Sequence, residues 1–244
     1  MAKLILKPAA RPLFAQIKEL IVERIRAGEW QAGNSLPSEH EFAAHYNVSQ
    51  GTVRKAIAEM AAENLVDRFR GKGTFVASHT DAREHSRFFH IVGNDGVKKL
   101  PGSQPISCER SKASKKTQDI LKLLNNATIV AAERLRLINE VPVILETITV
   151  SDEMFPGIYD LWSGKTPNEF YPLYETKYGI RVIGAKEKLS SVTASNRTAH
   201  LLGVEPGIPL LLIDRLAYTF GNEPVERRVS QCNTTDYHYL SELN

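Results

Sequence analysis

The chain has 244 residues, 42% of them apolar and 24% charged, with a formal net charge of +3. That length exceeds the commonest domain size of roughly 100–150 residues, so two domains are expected. No run reaches the ~18 apolar residues of a membrane span, and the opening MAKLILKPAARP lacks a long apolar stretch with a small-residue cleavage site, so a cytoplasmic protein without a membrane partner is expected. Cys108 and Cys232 are too few for a disulfide framework, and no Cys or His pair has zinc-site spacing; free thiols and no metal or other cofactor are expected.

Leu13, Phe14, Ile17, Leu20, Ile21 and Ile25 form a helical stripe that ends at Gly28, with Trp30 and Leu36 available to close a small core. Pro37-Ser38-Glu39-His40-Glu41 then carries the reciprocal pattern of a capping box, which predicts a helix start at Ser38. That helix is short, because Asn47 offers a left-handed stop and Ser49 a fresh N-cap. In the second helix Val53, Ala56, Ile57, Met60 and Ala61 share a buried face, which turns Gln50, Gly51, Arg54 and Lys55 outward.

Those outward residues lie in the first turn and a half, the part of a recognition helix that reaches base edges in the major groove. Gln50 can pair with adenine, Arg54 with guanine or a phosphate, and the Thr52 methyl can touch thymine. Taken alone, the helix also reads as an ordinary amphipathic one with a solvated cationic face. The segment Leu65 to Val76 adds two short alternating strands around a turn that carries Arg70 and Lys72 between glycines, the pattern of a basic wing. No Gly-Lys-Ser/Thr opens a helix here, so the glycines do not read as a nucleotide-binding loop.

Ala77 to Arg87 has no apolar periodicity and reads as a linker. The expected division is a DNA-binding domain at 1–77, a linker at 78–87 and a second domain at 88–244. A weak repeat runs through the second domain. Leu123-Leu124-Asn125 leads to Glu133-Arg134-Leu135-Arg136 and the turn at Asn139-Glu140; Leu201-Leu202-Gly203 leads to Asp214-Arg215-Leu216-Ala217 and the turn at Asn222-Glu223. Each copy reads helix end, strand, turn, strand, and two such units can merge into one antiparallel sheet, an α+β domain. Phe170, Tyr174 and Tyr178 recur every four residues as a helical stripe, read as core packing ahead of an aromatic wall for a ligand. His79, His85 and His90 match neither a helix nor a strand face and are not read as a metal site.

Arg134 and Arg136 are two apart on a strand and share a face, where two guanidinium groups repel unless an acid lies between them. Either a ligand anion or pairing with Glu133, Glu140 or Glu146 satisfies that need. Glu146 and Glu226, each shortly after a Pro-Val, can take hydroxyl, amine or amide groups.

From Arg11-Pro12-Leu13-Phe14, through Gly33-Asn34-Ser35-Leu36-Pro37-Ser38-Glu39, to Gly71-Lys72-Gly73-Thr74-Phe75-Val76, the chain resembles the winged helix-turn-helix of GntR-type bacterial transcription regulators. The resemblance implies DNA contacts at Ser38, Ser49, Gln50, Gly51, Thr52, Arg54, Lys55, Arg70, Lys72 and Gly73. His40 stands where the family usually has an arginine that contacts DNA. Arg134-Leu135-Arg136, Pro142-Val143-Ile144-Leu145-Glu146, Leu202-Gly203-Val204, Pro209-Leu210-Leu211 and Pro224-Val225-Glu226 resemble the effector-binding UTRA domain of the HutC branch, related in fold to chorismate lyase. That implies an effector carboxylate or phosphate at Arg134 and Arg136, with Glu146 and Glu226 beside it. Glu169 stands about where sugar-phosphate binders commonly have serine, and the family's Tyr-Arg-Gly-Asp-Arg-Tyr-like stretch is altered between Cys232 and Tyr239.

Residues 1–77 hold eleven Lys and Arg against eight Asp and Glu, while the remainder balances at twenty each. So modest an excess fits two copies binding together, because affinity follows the number of phosphates neutralised. The expected protein is a homodimeric repressor that binds double-stranded DNA at a pseudo-palindromic operator and responds to a small polar or anionic effector. The alternative is an enzyme acting on a small carboxylate, for which Cys232 and His238 are the one nucleophile and base pair available.

Overall fold

The computed structural model describes residues 11–78, 88–164 and 167–242. The chain divides into two compact units, residues 1–78 and 79–244. The expected linker falls outside the described residues from 79 onward.

In the first unit, α1 (Leu13–Arg26) buries Ile17, Ile21 and Ile25. Both halves of the capping box form at the start of α2 (Glu39–Tyr46): Glu41 N donates to Ser38 Oγ at 3.2 Å and Ser38 N to Glu41 Oε2 at 2.8 Å. Asn47, at φ 53°, ends that helix in the left-handed conformation. Ser49 caps α3 (Gln50–Ala62), accepting from Thr52 N at 3.1 Å. Helix α3 lays Val53, Ala56, Ile57 and Met60 against α1 and α2, and Leu36 closes the core. Strands β1 (Val66–Phe69) and β2 (Gly73–Val76) pair in register from Val66 opposite Val76 to Phe69 opposite Gly73. The tip is Arg70-Gly71-Lys72, with Gly71 at φ 76° and Gly73 at φ 111°, conformations that a side chain would strain.

The second unit is one antiparallel sheet of six strands: β4 (Gly102–Lys112), β5 (Thr128–Ile138), β6 (Val141–Ser151), β7 (Gly184–Thr193), β8 (Pro209–Thr219) and β9 (Glu223–Cys232). Their order is β4-β5-β6-β9-β8-β7. Helices α4 (Lys115–Leu121) and α7 (Asn196–Leu202) pack on β9 and β6 respectively. Helices α5 (Ile158–Gly164) and α6 (Tyr171–Tyr178) supply Trp162, Tyr171 and Tyr174 to a core that includes Val130, Ala132, Ile148, Ala217 and Val225 of the sheet. A short pair, β3 (Ile91–Gly93) with β10 (Tyr237–Tyr239), adds Ile91 and the partly buried Tyr237 and Tyr239 to the Ile138, Ile144, Ile213 and Cys232 cluster. Among the described residues, no helix is long and apolar enough to cross a membrane.

The repeat is deeper than the sequence pattern suggested, for β4-α4-β5-β6 and β7-α7-β8-β9 are equivalent halves. Ser114 and Ser195 cap α4 and α7 alike, accepting from Thr117 N and Thr198 N. Each hairpin shifts register at the same place, after Arg136 in β5 and after Ala217 in β8. The correspondence sets Arg134 with Arg215, Arg136 with Ala217, and Glu146 with Arg228, because Arg134 lies opposite Glu146 and Arg215 opposite Arg228. The halves meet at the equivalent residues Thr147 and Val229, which face each other across β6 and β9.

Candidate DNA-reading surface and ligand cleft

The start of α3 presents Gln50, Gly51 and Arg54 as exposed residues, with Thr52 partly covered. A Cβ on Gly51 would meet nothing closer than Ser49 Oγ at 3.8 Å, so backbone and ligand can approach there. Ser38 and Ser49 each accept a capping hydrogen bond, which positions both helices whatever else the hydroxyls touch. Arg70, Lys72 and Gly73 stand exposed at the wing. Lys55 is directed elsewhere: its ammonium lies 3.9 Å from the centre of the Phe14 ring on α1.

One grouping was missed by the sequence reading. Glu39, in the first turn of α2, accepts from Arg54 Nε at 2.9 Å and from Arg68 Nη2 at 3.1 Å. A single carboxylate therefore holds a recognition-helix arginine and a wing-strand arginine side by side. The signal was available only as Arg68 in an outward strand position; its partner is 29 residues away.

In the second unit, Arg134, Arg136 and Glu146 line a cavity of about 50 Å³ together with Asn168, Glu169, Phe170, Arg215, Arg228 and Ser230. Ile144, Ile213 and Cys232 form apolar wall. Arg134 Nε donates to Glu146 Oε2 at 2.9 Å, and Arg134 Nη1 to the Asn168 main-chain oxygen at 2.9 Å. Its guanidinium sits 4.3 Å from the centre of the Phe170 ring, so this member of the aromatic stripe serves both core and cleft. Arg136 Nη1 donates to the same main-chain oxygen at 2.7 Å and to Asn168 Oδ1 at 2.9 Å. Burial, reinforced by the neighbouring charge of Arg134, pulls the Arg136 guanidinium down to about 9. Burial works against ionisation of Glu146, yet the charges of Arg134, Arg228 and Arg136 outweigh it and hold the carboxyl down at about 2.

Of the acids weighed as arginine partners, Glu146 is the one on Arg134, while Glu133 is taken by Arg197 of α7. Glu226 lies behind the cavity and is fully buried. It accepts from Arg228 at 3.0 and 3.1 Å, from Tyr171 OH at 3.3 Å and from Tyr174 OH at 2.7 Å, and so anchors Arg228 instead of facing the space itself. Period-two alternation from Glu226 along β9 would have reached Arg228, Ser230 and Cys232. Arg215, missed as well, pairs with Glu187 at 2.6 Å and donates to the Phe88 main-chain oxygen.

The nucleophile and base considered for catalysis have no such geometry. Cys232 is fully buried, and burial first, then the Glu146 charge, pushes its thiol up, which keeps it protonated and unreactive. His238 is exposed, its Nδ1 3.3 Å from Asn94 Oδ1. His79 and His85 lie outside the described residues; His90 Nδ1 is 3.2 Å from the Leu240 main-chain oxygen.

A winged helix-turn-helix joined to an α+β domain with an arginine-lined cleft defines a one-component transcription regulator. Residues 13–76 match the model for bacterial regulatory proteins of the gntR family, and residues 97–238 match the UTRA domain. The chain belongs to the GntR family, in the UTRA-carrying HutC branch, and is a DNA-binding regulator rather than an enzyme. It is 28% identical to the HTH-type transcriptional repressor NagR of Bacillus subtilis, over 98% of both chains. It is 24% identical to the histidine utilization repressor of Klebsiella aerogenes, over 87% of both. Among solved structures it is similar to the ligand-binding domain of a protein assigned to the GntR family from Bordetella bronchiseptica, with 33% identity, a TM-score of 0.59, and coverage of 65% of this chain and 98% of that one. PhnF from Mycobacterium smegmatis shares the fold, with a TM-score of 0.57 and 19% identity over 96% of this chain and 99% of that one.

Proposed function

We propose that the protein is a homodimeric repressor, acting in the cytoplasm, whose 1–77 domains bind the two halves of a pseudo-palindromic operator and whose 88–244 domains bind a small polar or anionic effector. The names of relatives that are repressors support the sign of regulation. The observation that carries the effector reading is the cleft, which four guanidinium groups line in a unit separate from the exposed recognition helix. Arg134, Arg136 and Glu146 face the effector; Arg228 joins them, with Glu226 as its anchor. Gln50, Thr52 and Arg54 read bases, while Arg70, Lys72 and the backbone at Gly73 hold phosphates. Effector binding reorients the paired DNA-binding domains and lowers operator affinity.

The test is an anisotropy titration against DNA from upstream of its own gene and of neighbouring operons, with scrambled competitor, at two salt concentrations. Tight, competitor-resistant binding with a steep salt slope, at two protomers per site, is expected. One protomer per site removes the dimer, and binding that competitor abolishes at every candidate sequence removes the operator reading.

A further inference from the structure

We infer that the acidic group of the effector is a carboxylate, carried on a small molecule with a hydrogen-bond donor, and that it takes Arg136 in competition with Asn168. The inference rests on the reading of the cleft as the effector site.

The internal repeat supplies the control. Arg134 and Arg215 occupy equivalent positions, and each has a carboxylate, Glu146 and Glu187. Arg136 corresponds to Ala217, a fully buried core residue, and the same register shift follows both. The fold therefore builds this position without a cation. Arg136 is only 5% exposed, and among the described residues it forms no ion pair; its partners are the two neutral oxygens of Asn168. Glu146 and Glu169 favour its charge from a distance, but neither forms an ion pair with it, so this buried guanidinium has no carboxylate paired to it directly. A carboxylate would supply that direct pair, one charge with two oxygens in the plane that a guanidinium matches.

A phosphate monoester brings too much charge, between 1.5 and 2 negative charges at about pH 7. Glu146 and Glu169 line the same space and oppose the excess. The donors that usually complete a phosphate site are also reduced. Helix α6 has Pro172 in its first turn, which takes away one of the N–H groups that its N-terminus would otherwise offer. The cavity of about 50 Å³ has space for a few water molecules at the ~10–15 Å³ each requires, which suits a compact head group.

Glu146 defines the rest of the ligand. Its Oε2 is engaged by Arg134 at 2.9 Å, whereas Oε1 has only the longer contacts to Ser230 at 3.5 Å and Arg228 at 3.8 Å. That oxygen is placed to accept an O–H or N–H, while Ile144 and Ile213 cover an apolar body between the two ends.

The experiment is saturation-transfer NMR of the full-length protein with 4-hydroxybutyrate and with 3-hydroxypropyl phosphate, probes that differ in the acidic group. The carboxylate is expected to bind roughly tenfold tighter. Arg136→Met should abolish its binding, and Asn168→Ala, which removes one competing oxygen, should strengthen it. Tighter binding of the phosphate, lost in Arg136→Met, overturns the carboxylate and leaves the effector cleft standing. Binding indifferent to Arg136→Met, or no binding of either probe, overturns the cleft reading and the inference together. Should Arg136→Met fail to fold, Asn168→Ala decides alone: carboxylate binding that is unchanged or weaker counts against the competition.

Discussion

The Nη2 group of Arg215 donates to the main-chain oxygen of Phe88, the first described residue of the second unit. Arg215 also lines the cleft, so one side chain touches both the candidate ligand space and the first described residue of that unit. Arg215→Lys keeps a positive charge for Glu187 but loses the forked donor geometry. The expected outcome is ligand binding that no longer weakens operator binding, in place of a roughly 5–150-fold effect. Anisotropy with and without saturating ligand measures it; an undiminished response would remove Arg215 from the coupling.

Arg54 and Arg68 share the Glu39 carboxylate, and the wing strand therefore brings a second cation to the recognition helix. Arg68→Ala is expected to lower the salt slope by about 0.9 per protomer and to weaken all sequences alike, as loss of a phosphate contact does. Arg54→Ala should instead relax preference at one base position, at a cost of about 1–3 kcal/mol against the preferred sequence. Binding to a library of operator variants at several salt concentrations separates the two.

Glu226 carries three neighbours, Tyr171, Tyr174 and Arg228, in a fully buried position. Glu226→Gln leaves the Arg228 guanidinium without its bidentate partner, and the second unit is expected to lose roughly 3–5 kcal/mol. Urea unfolding followed by tryptophan fluorescence tests this, since Trp162 lies in the adjacent core. A loss below about 1 kcal/mol would mean that water replaces the carboxylate.

Acid should unfold the second unit by way of Glu146. Its folded value, about 2, lies below the ordinary 4.5, so its contribution is complete above about pH 4.5 and disappears as pH falls toward 2. Glu146→Gln should flatten the pH dependence of stability across that window and leave a lower, nearly level curve. Thermal melts between pH 2 and pH 6 check the slope, and an unchanged slope would assign acid sensitivity to other carboxylates.

What the sequence by itself determined is the part governed by near neighbours. Ser38 with Glu41, Asn47, Ser49 and the glycines around Lys72 specify caps and turns through contacts within a few residues, so the helix-turn-helix and wing were legible. Alternation likewise put Arg134 and Arg136 on one face, and the recurrence of Glu-Arg-Leu and Asp-Arg-Leu disclosed the repeat. Only the tertiary structure decided which charges are neutralised. Arg134 takes Glu146 across a strand pair, Arg136 takes oxygens 32 residues away on Asn168, and Glu226 turns to Arg228 and two tyrosines. Such partners are set by strand register and helix placement over long separations, and a buried charge takes its chemistry from whatever that packing places within reach.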